Sequence, residues 1–202
     1  MIDPPGLHPE PPTDLSDRDP LVLHLTVGTA LFRLHARDKG PLFFGRTGSN
    51  RFDSPDGKYG VLYVGRDVHC CFIESFGQET GIRLITEAEL ERRHLAELEL
   101  QRPLSLIDLS SSGGLARIGA DSRLFSGSHA IAQRWSEALR NYPSKPDGIL
   151  YPARHDPARS ACAIFDCAPT VFKISGKGSL MEPQHIAALG AILDCYDFGL
   201  IP

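Results

Sequence analysis

Hydrophobic and polar positions alternate along two early stretches of the chain. Leu21 to Val27 alternates well enough for a strand, and Ala30 to Ala36 (Ala-Leu-Phe-Arg-Leu-His-Ala) predicts a second. Between Lys39 and Tyr59 the pattern gives way to Gly, Pro, Ser and Asp, the composition of a loop. Gly60 to Gly65 (Gly-Val-Leu-Tyr-Val-Gly) is a short apolar run, the form of a buried strand. Asp67 is a favourable N-cap for a helix from Val68 to Phe76, with Gly77 as its stop. Val68, Cys70, Cys71, Phe72, Ile73 and Phe76 surround that helix with apolar groups. It is expected to be buried, with Glu74 as its one acid.

Further strands are expected near Leu95–Leu100 and Leu104–Leu109, with Thr86–Leu95 readable as a short helix. Ser128 opens a helix through Arg140, with Ile131, Trp135 and Leu139 in one stripe at four-residue spacing. Short strands follow near Gly148–Tyr151, Ala161–Phe165 and Thr170–Ile174, and a helix from Glu182 to about Asp194 comes last. Strands cluster, helices are few, and no regular βαβ alternation appears. The class is therefore α+β, not a doubly wound sheet. There is no internal repeat.

Charge separates the ends of this picture. Residues 1–20 hold five acids, one Arg and six of the 16 prolines, so they read as a solvated acidic arm that contributes no core. Its removal is expected to leave the domain of residues 21–202 intact. The net charge of the whole chain is −4, all of it in the arm, so the body is neutral. That argues against direct nucleic-acid binding, which wants a basic face. No apolar stretch approaches a membrane span, and the acidic start does not resemble a signal peptide. Five cysteines with no Cys-x-x-Cys fit buried free thiols in a reducing cytoplasm. Eight histidines show no familiar zinc-ligand spacing, so no metal is expected.

Candidate chemistry concentrates in residues 31–66, where seven basic groups face three acids. Arginines beside a Gly-rich loop suit a pyrophosphate, because the guanidinium fork matches phosphate oxygens. The loop from Gly45 to Arg51 is neither a P-loop nor a dinucleotide fingerprint, and a solvated charged loop is the plain alternative. Arg33 sits mid-strand and needs either an anionic partner or a wet cleft. Glu74 is a carboxylate in an apolar helix, which marks either a tuned acid or base or an ion pair with an arginine. Tyr63 reads by default as a core tyrosine. Tyr151 to Asp156 offers polar groups just after a strand, and Ser126 an exposed hydroxyl at a helix entry.

In order and spacing these segments resemble the RES family, named for its Arg, Glu and Ser. The matching pieces are Phe32-Arg33-Leu34-His35, Asn50-Arg51-Phe52-Asp53, Val61-Leu62-Tyr63-Val64 and Phe72-Ile73-Glu74-Ser75. Leu106 to Leu109, the helix from Ser128 with Trp135, and Asp147 to Pro152 extend the likeness from about Leu31 to Asp194. The resemblance implies a single domain with a fold similar to ADP-ribosyltransferases: a mixed β-sheet core with a few flanking helices. It also implies cleavage of the nicotinamide–ribose bond of NAD as substrate, with phosphate, water or a protein side chain as acceptor. It implies a toxin paired with an Xre-type helix-turn-helix antitoxin. The family pattern falls on Arg33, Arg51, Tyr63 and Glu74, with its serine at Ser126 or, second, Ser128. In this pattern Arg33 and Arg51 hold the pyrophosphate, Tyr63 packs against the nicotinamide end, Ser126 hydrogen-bonds to it and Glu74 stabilises a cationic ribose. Many relatives carry a serine directly after the Tyr-Pro pair, where this chain has Ala153. A catalytically weakened nucleotide- or antitoxin-binding module is the alternative function.

All five thiols are expected to react as free in denaturant without reductant. A disulfide recovered from protein kept reduced during purification would contradict this.

Overall fold

The computed structural model describes residues 9–79, 81–166 and 169–202. In chain order the first half forms β1 (Val22–Leu25), β2 (Ala30–Ala36), β3 (Val61–Gly65), α1 (Val68–Phe76), β4 (Leu84–Thr86), α2 (Glu87–Glu91), β5 (Arg93–Leu100) and β6 (Leu104–Asp108). Then come α3 (Gly114–Ile118), α4 (Arg123–Ser126), α5 (His129–Arg140), β7 (Gly148–Ala153), β8 (Asp156–Phe165), β9 (Phe172–Gly178), α6 (Ile186–Tyr196) and β10 (Gly199–Ile201). Eight strands make one sheet in the order β1-β6-β7-β8-β3-β2-β5-β9. Only β6 and β7 run parallel; the other pairs are antiparallel. β4 and β10 form a separate parallel pair. The fold is α+β with a mixed sheet, as the pattern and the resemblance lead one to expect.

Period-two alternation assigns the two faces of the sheet. Val61, Ile107, Ile149, Tyr151, Ala163 and Phe165 point into the larger core, which α1, α5 and α6 cover. Their neighbours Leu62, Val64, Leu106, Leu150, Cys162 and Ile164 point into a smaller core on the other face, closed in part by Leu42 and Phe44 of the loop after β2. Asp67 caps α1 by accepting from Cys70 N at 2.8 Å, and Gly77 ends it. Gly65 is the close approach between α1 and β3: a Cβ there would stand 2.7 Å from Cys71 Sγ and 2.9 Å from Asp67 O.

Two short helices, α3 and α4, and the β4–β10 pair lie where the sequence reading places no element; three to five residues are too few to display a period. The Thr86–Leu95 segment divides. Thr86 and Glu89 close a capping box on α2, and Arg93 already begins β5. The last helix starts at Ile186, after a 3₁₀ turn at Pro183–His185. Cys70, Cys71 and Cys162 are buried free thiols, whereas Cys195 is exposed, against the expectation that every cysteine packs inside. Cys167 lies outside the described residues.

The solvated-arm reading fails for residues 9–20, while residues 1–8 lie outside the described residues. Leu15 is 6% exposed and belongs to the larger core. Trp135 Nε1 donates to Pro9 O at 2.8 Å, Tyr142 Oη donates to Arg18 O at 2.5 Å, and Arg117 pairs with Asp19 at 2.8 Å. Arg134 and Glu10 form an ion pair beside Trp135. Composition sees only the mean polarity of this segment; one leucine and four main-chain acceptors or carboxylates suffice to dock it on α3 and α5.

Leu15→Ala is therefore expected to destabilise the protein by about 2–4 kcal/mol, a buried-leucine deletion with its cavity. A urea midpoint unchanged from the parent would return residues 9–20 to a solvated arm.

Candidate active site

β2 and β3 share a single registered pair, Phe32 opposite Gly65. Each is well paired on its other side, β2 with β5 from Ala30 to Ala36 and β3 with β8 from Val61 to Gly65. The sheet therefore opens between them, and α1 spans the opening. A cavity of about 440 Å³ lies there, lined among others by Arg33, Arg51, Tyr63, Glu74, Tyr151 and Arg154. Four residues that the sequence singles out separately thus meet in one place.

Arg33 Nη1 donates to Pro41 O at 2.7 Å and to Phe43 O at 3.2 Å, and among the described residues no carboxylate pairs with it. Burial holds its pKa down at about 10, with Cys71 opposing and Arg93 reinforcing that shift. The ion-pair reading of Arg33 does not describe this structure. The side chain lines the cavity instead, held by loop carbonyls.

Arg51 is placed by a buried hub. Asp53 is fully buried and accepts from Asn50 N at 3.0 Å, from Asn50 Nδ2 at 3.2 Å and from Tyr63 Oη at 3.0 Å. Phe52 N donates to Tyr63 Oη at 2.9 Å. From α5, Gln133 Nε2 donates to Gly48 O and Asn50 O, and Ser136 Oγ donates to Phe52 O. A loop with this many main-chain anchors is a rigid mount, not a solvated loop. Arg51 Nη1 donates to Gly127 O at 2.9 Å, and burial first, then repulsion from Arg154, lowers its pKa. Tyr63 turns its ring to the cavity wall but commits its hydroxyl to Asp53 and Phe52; burial, then the Asp53 charge, raises that phenol's pKa well above its ordinary value.

Among the described residues Glu74 is the only acid lining the cavity, against Arg33, Arg51, Arg93 and Arg154. Its Oε1 accepts from Arg154 N at 2.8 Å, and among the described residues no arginine forms an ion pair with it. Burial raises its pKa; the Arg154 N–H bond and the charges of Arg154 and Arg51 offset this in part. Such a site suits a ligand that carries several negative charges near a group able to become cationic.

Ser126 stands apart. Its Oγ donates to Ser122 O at 3.3 Å, and it lines a neighbouring cleft of about 610 Å³ with Ser110, Ser111 and Ala153. Phe125, Pro152 and Arg154 line both spaces and form the partition. Ser128 opens α5 without a side-chain capping bond and lines neither space. Ala153 is buried. The sequence marks Tyr151 and Arg154 only as part of the polar stretch after a strand and gives Arg93 no weight; β7, the turn after it and β5 bring the three to the cavity. Among the described residues no three His, Cys, Asp or Glu side chains gather as a metal site, and no helix is long and apolar enough to cross a membrane.

With fold and cavity in view, the comparisons agree. The RES domain family model matches residues 30–183, and the chain belongs to that family. A probable toxin, y4kH, of Sinorhizobium fredii (strain NBRC 101917 / NGR234) is 37% identical over 114 residues, covering 56% of this chain and 85% of that protein. The crystal structure of the M. tuberculosis MbcT–MbcA toxin–antitoxin complex contains a chain of similar fold. Its TM-score is 0.54 at 14% identity, covering 77% of this chain and 87% of that one.

Since the folded state holds the Glu74 proton more tightly than the unfolded chain, ionising Glu74 costs stability as pH rises through the ordinary carboxylate range to its raised value. Glu74→Gln, which keeps the acceptor for Arg154 N, is expected to be at least as stable as the parent at neutral pH. Below both pKa values the two proteins should converge. Urea midpoints across pH 3–8 measure this, and a strongly destabilised Gln variant would make Glu74 a structural charge partner instead.

Proposed function

We propose that this chain is a toxin-type enzyme that consumes NAD by breaking the nicotinamide–ribose bond. The observation that carries this reading is the convergence of Arg33, Arg51, Tyr63 and Glu74 on one cavity, with Glu74 the only acid among its described lining residues. The bond breaks through an oxocarbenium-like ribose, and a nearby carboxylate lowers the cost of that charge. In this reading Glu74 faces the ribose, held at Oε1 by Arg154 N. Arg33 and Arg51 receive the pyrophosphate through the guanidinium nitrogens that the loop carbonyls leave free, and the Tyr63 ring packs against the nicotinamide. Nicotinamide departs as a neutral group, so the reaction calls for no metal and NAD is substrate, not cofactor. Ser126 lies across the partition, and a hydrogen bond from it requires the substrate to reach the second cleft. Phosphate, water or a protein side chain can serve as the acceptor.

The toxin names of the family relatives support an antitoxin partner for this chain, and an Xre-type helix-turn-helix protein that occludes the cavity is the form proposed. The proposed setting is the cytoplasm, where NAD is abundant. A second reading, a binding module with weakened turnover, draws on Ala153: it is buried, and the family resemblance implies a serine there in many relatives.

Purified protein is expected to deplete NAD, measured with and without added phosphate, and Glu74→Gln to lower that rate by about 10²–10³ with NAD affinity little changed. Binding of NAD with no turnover by the parent would favour the module; equal turnover by a folded Glu74→Gln would remove the proposed role of Glu74.

A further inference from the structure

The cavity contains two tyrosines whose hydroxyls differ in kind. Tyr63 Oη is fully engaged, donating to Asp53 and accepting from Phe52 N. Tyr151, on β7, lines the same cavity, and its hydroxyl makes no hydrogen bond to any described residue. A buried phenol normally finds a partner. The one fully enclosed side-chain polar atom without a partner among the described residues is His155 Nε2, so the Tyr151 oxygen keeps access to solvent, and the space it lines is the cavity. The ring itself is fixed: the residue is buried, and its centroid lies 4.9 Å from that of Phe52. Phe52 belongs to the loop that mounts Arg51, so the phenol is held in register with the arginine by packing alone.

After burial itself, the Glu74 charge is the largest influence on this phenol, and both raise its pKa, which keeps the proton in place. The lining of one cavity thus holds a fixed donor, Tyr151, and a fixed acceptor, Glu74. A single hydroxyl satisfies both, giving its proton to one and accepting from the other. We propose that Tyr151 is a substrate-positioning donor, its Oη–H bonding the ribose hydroxyl that in turn donates to Glu74. This rests on the NAD reading above and deepens it: the pair would fix the nicotinamide ribose against Glu74, a role that Tyr63, with its hydroxyl spent, does not fill.

Tyr151→Phe removes the hydroxyl and keeps the ring against Phe52, so melting temperature is expected to stay within a degree or two of the parent. Turnover is measured with NAD and with two analogues lacking the 2′- or the 3′-hydroxyl of the nicotinamide ribose. The variant should lose about tenfold to a hundredfold in kcat/KM on NAD, the cost of one polar group left without its partner. On one of the two analogues parent and variant should be equal. Equal turnover of NAD by both proteins, or the same loss on all three substrates, overturns the role of Tyr151 while leaving the NAD reading in place. A variant that melts several degrees early makes the hydroxyl structural and overturns it too. A parent that turns over no NAD with or without phosphate removes both.

Discussion

Everything at the candidate site depends on two neighbouring strands that stay together at one residue pair only. β2 and β3 meet at Phe32 and Gly65; beyond that pair β2 is bound to β5 and β3 to β8, with Gly45 bridging Val61. Strand edges left open inside a sheet expose main-chain donors and acceptors that want partners. Here the opening is not wasted. The Arg33 side chain crosses it to loop carbonyls, α1 roofs it through the bare backbone of Gly65, and the remaining space is the cavity. A side chain at position 65 would push α1 off the sheet and carry Glu74 with it.

The electrostatics follow from that enclosure. Four arginines and one glutamate line a space in a body whose charges sum to zero. None of Arg33, Arg51 or Glu74 finds an ion-pair partner among the described residues; each is held by neutral main-chain groups instead. Main-chain dipoles fix position without cancelling charge, so the full field of each group remains available to a ligand. This is the condition under which a protein charge does most for a bound anion or a developing cation.

The longer elements were legible in the sequence because each repeats its own period enough times. β2 and α1 appear with the boundaries the pattern predicts, since alternation and an Asp67 cap leave little freedom. The site residues were legible as types, an arginine mid-strand and an acid in an apolar helix, and the family resemblance tied them together. What pattern could not supply was pairing. Nothing local says that Arg33 meets carbonyls and not a carboxylate, that Ser126 falls behind a partition, or that Tyr63 spends its hydroxyl on Asp53. The segment 9–20 misled for the same reason. Its prolines and acids look solvated, yet Leu15 and the Pro9 carbonyl decide its place through Trp135, more than a hundred residues away.

The order of strands in the sheet also dictates when a site can exist. β3 takes its register from β8, with Tyr63 opposite Ala163, so contacts that hold the opening's far wall join segments about 100 residues apart in sequence. Such long-range pairing forms slowly and late. A chain emerging from the ribosome holds Arg33, Arg51 and Glu74 early but has no wall to set them against until β8 is free to pair. Until then β3 is an apolar edge open to misassembly. The far wall of the cavity therefore cannot assemble until the segment through Phe165 has been made.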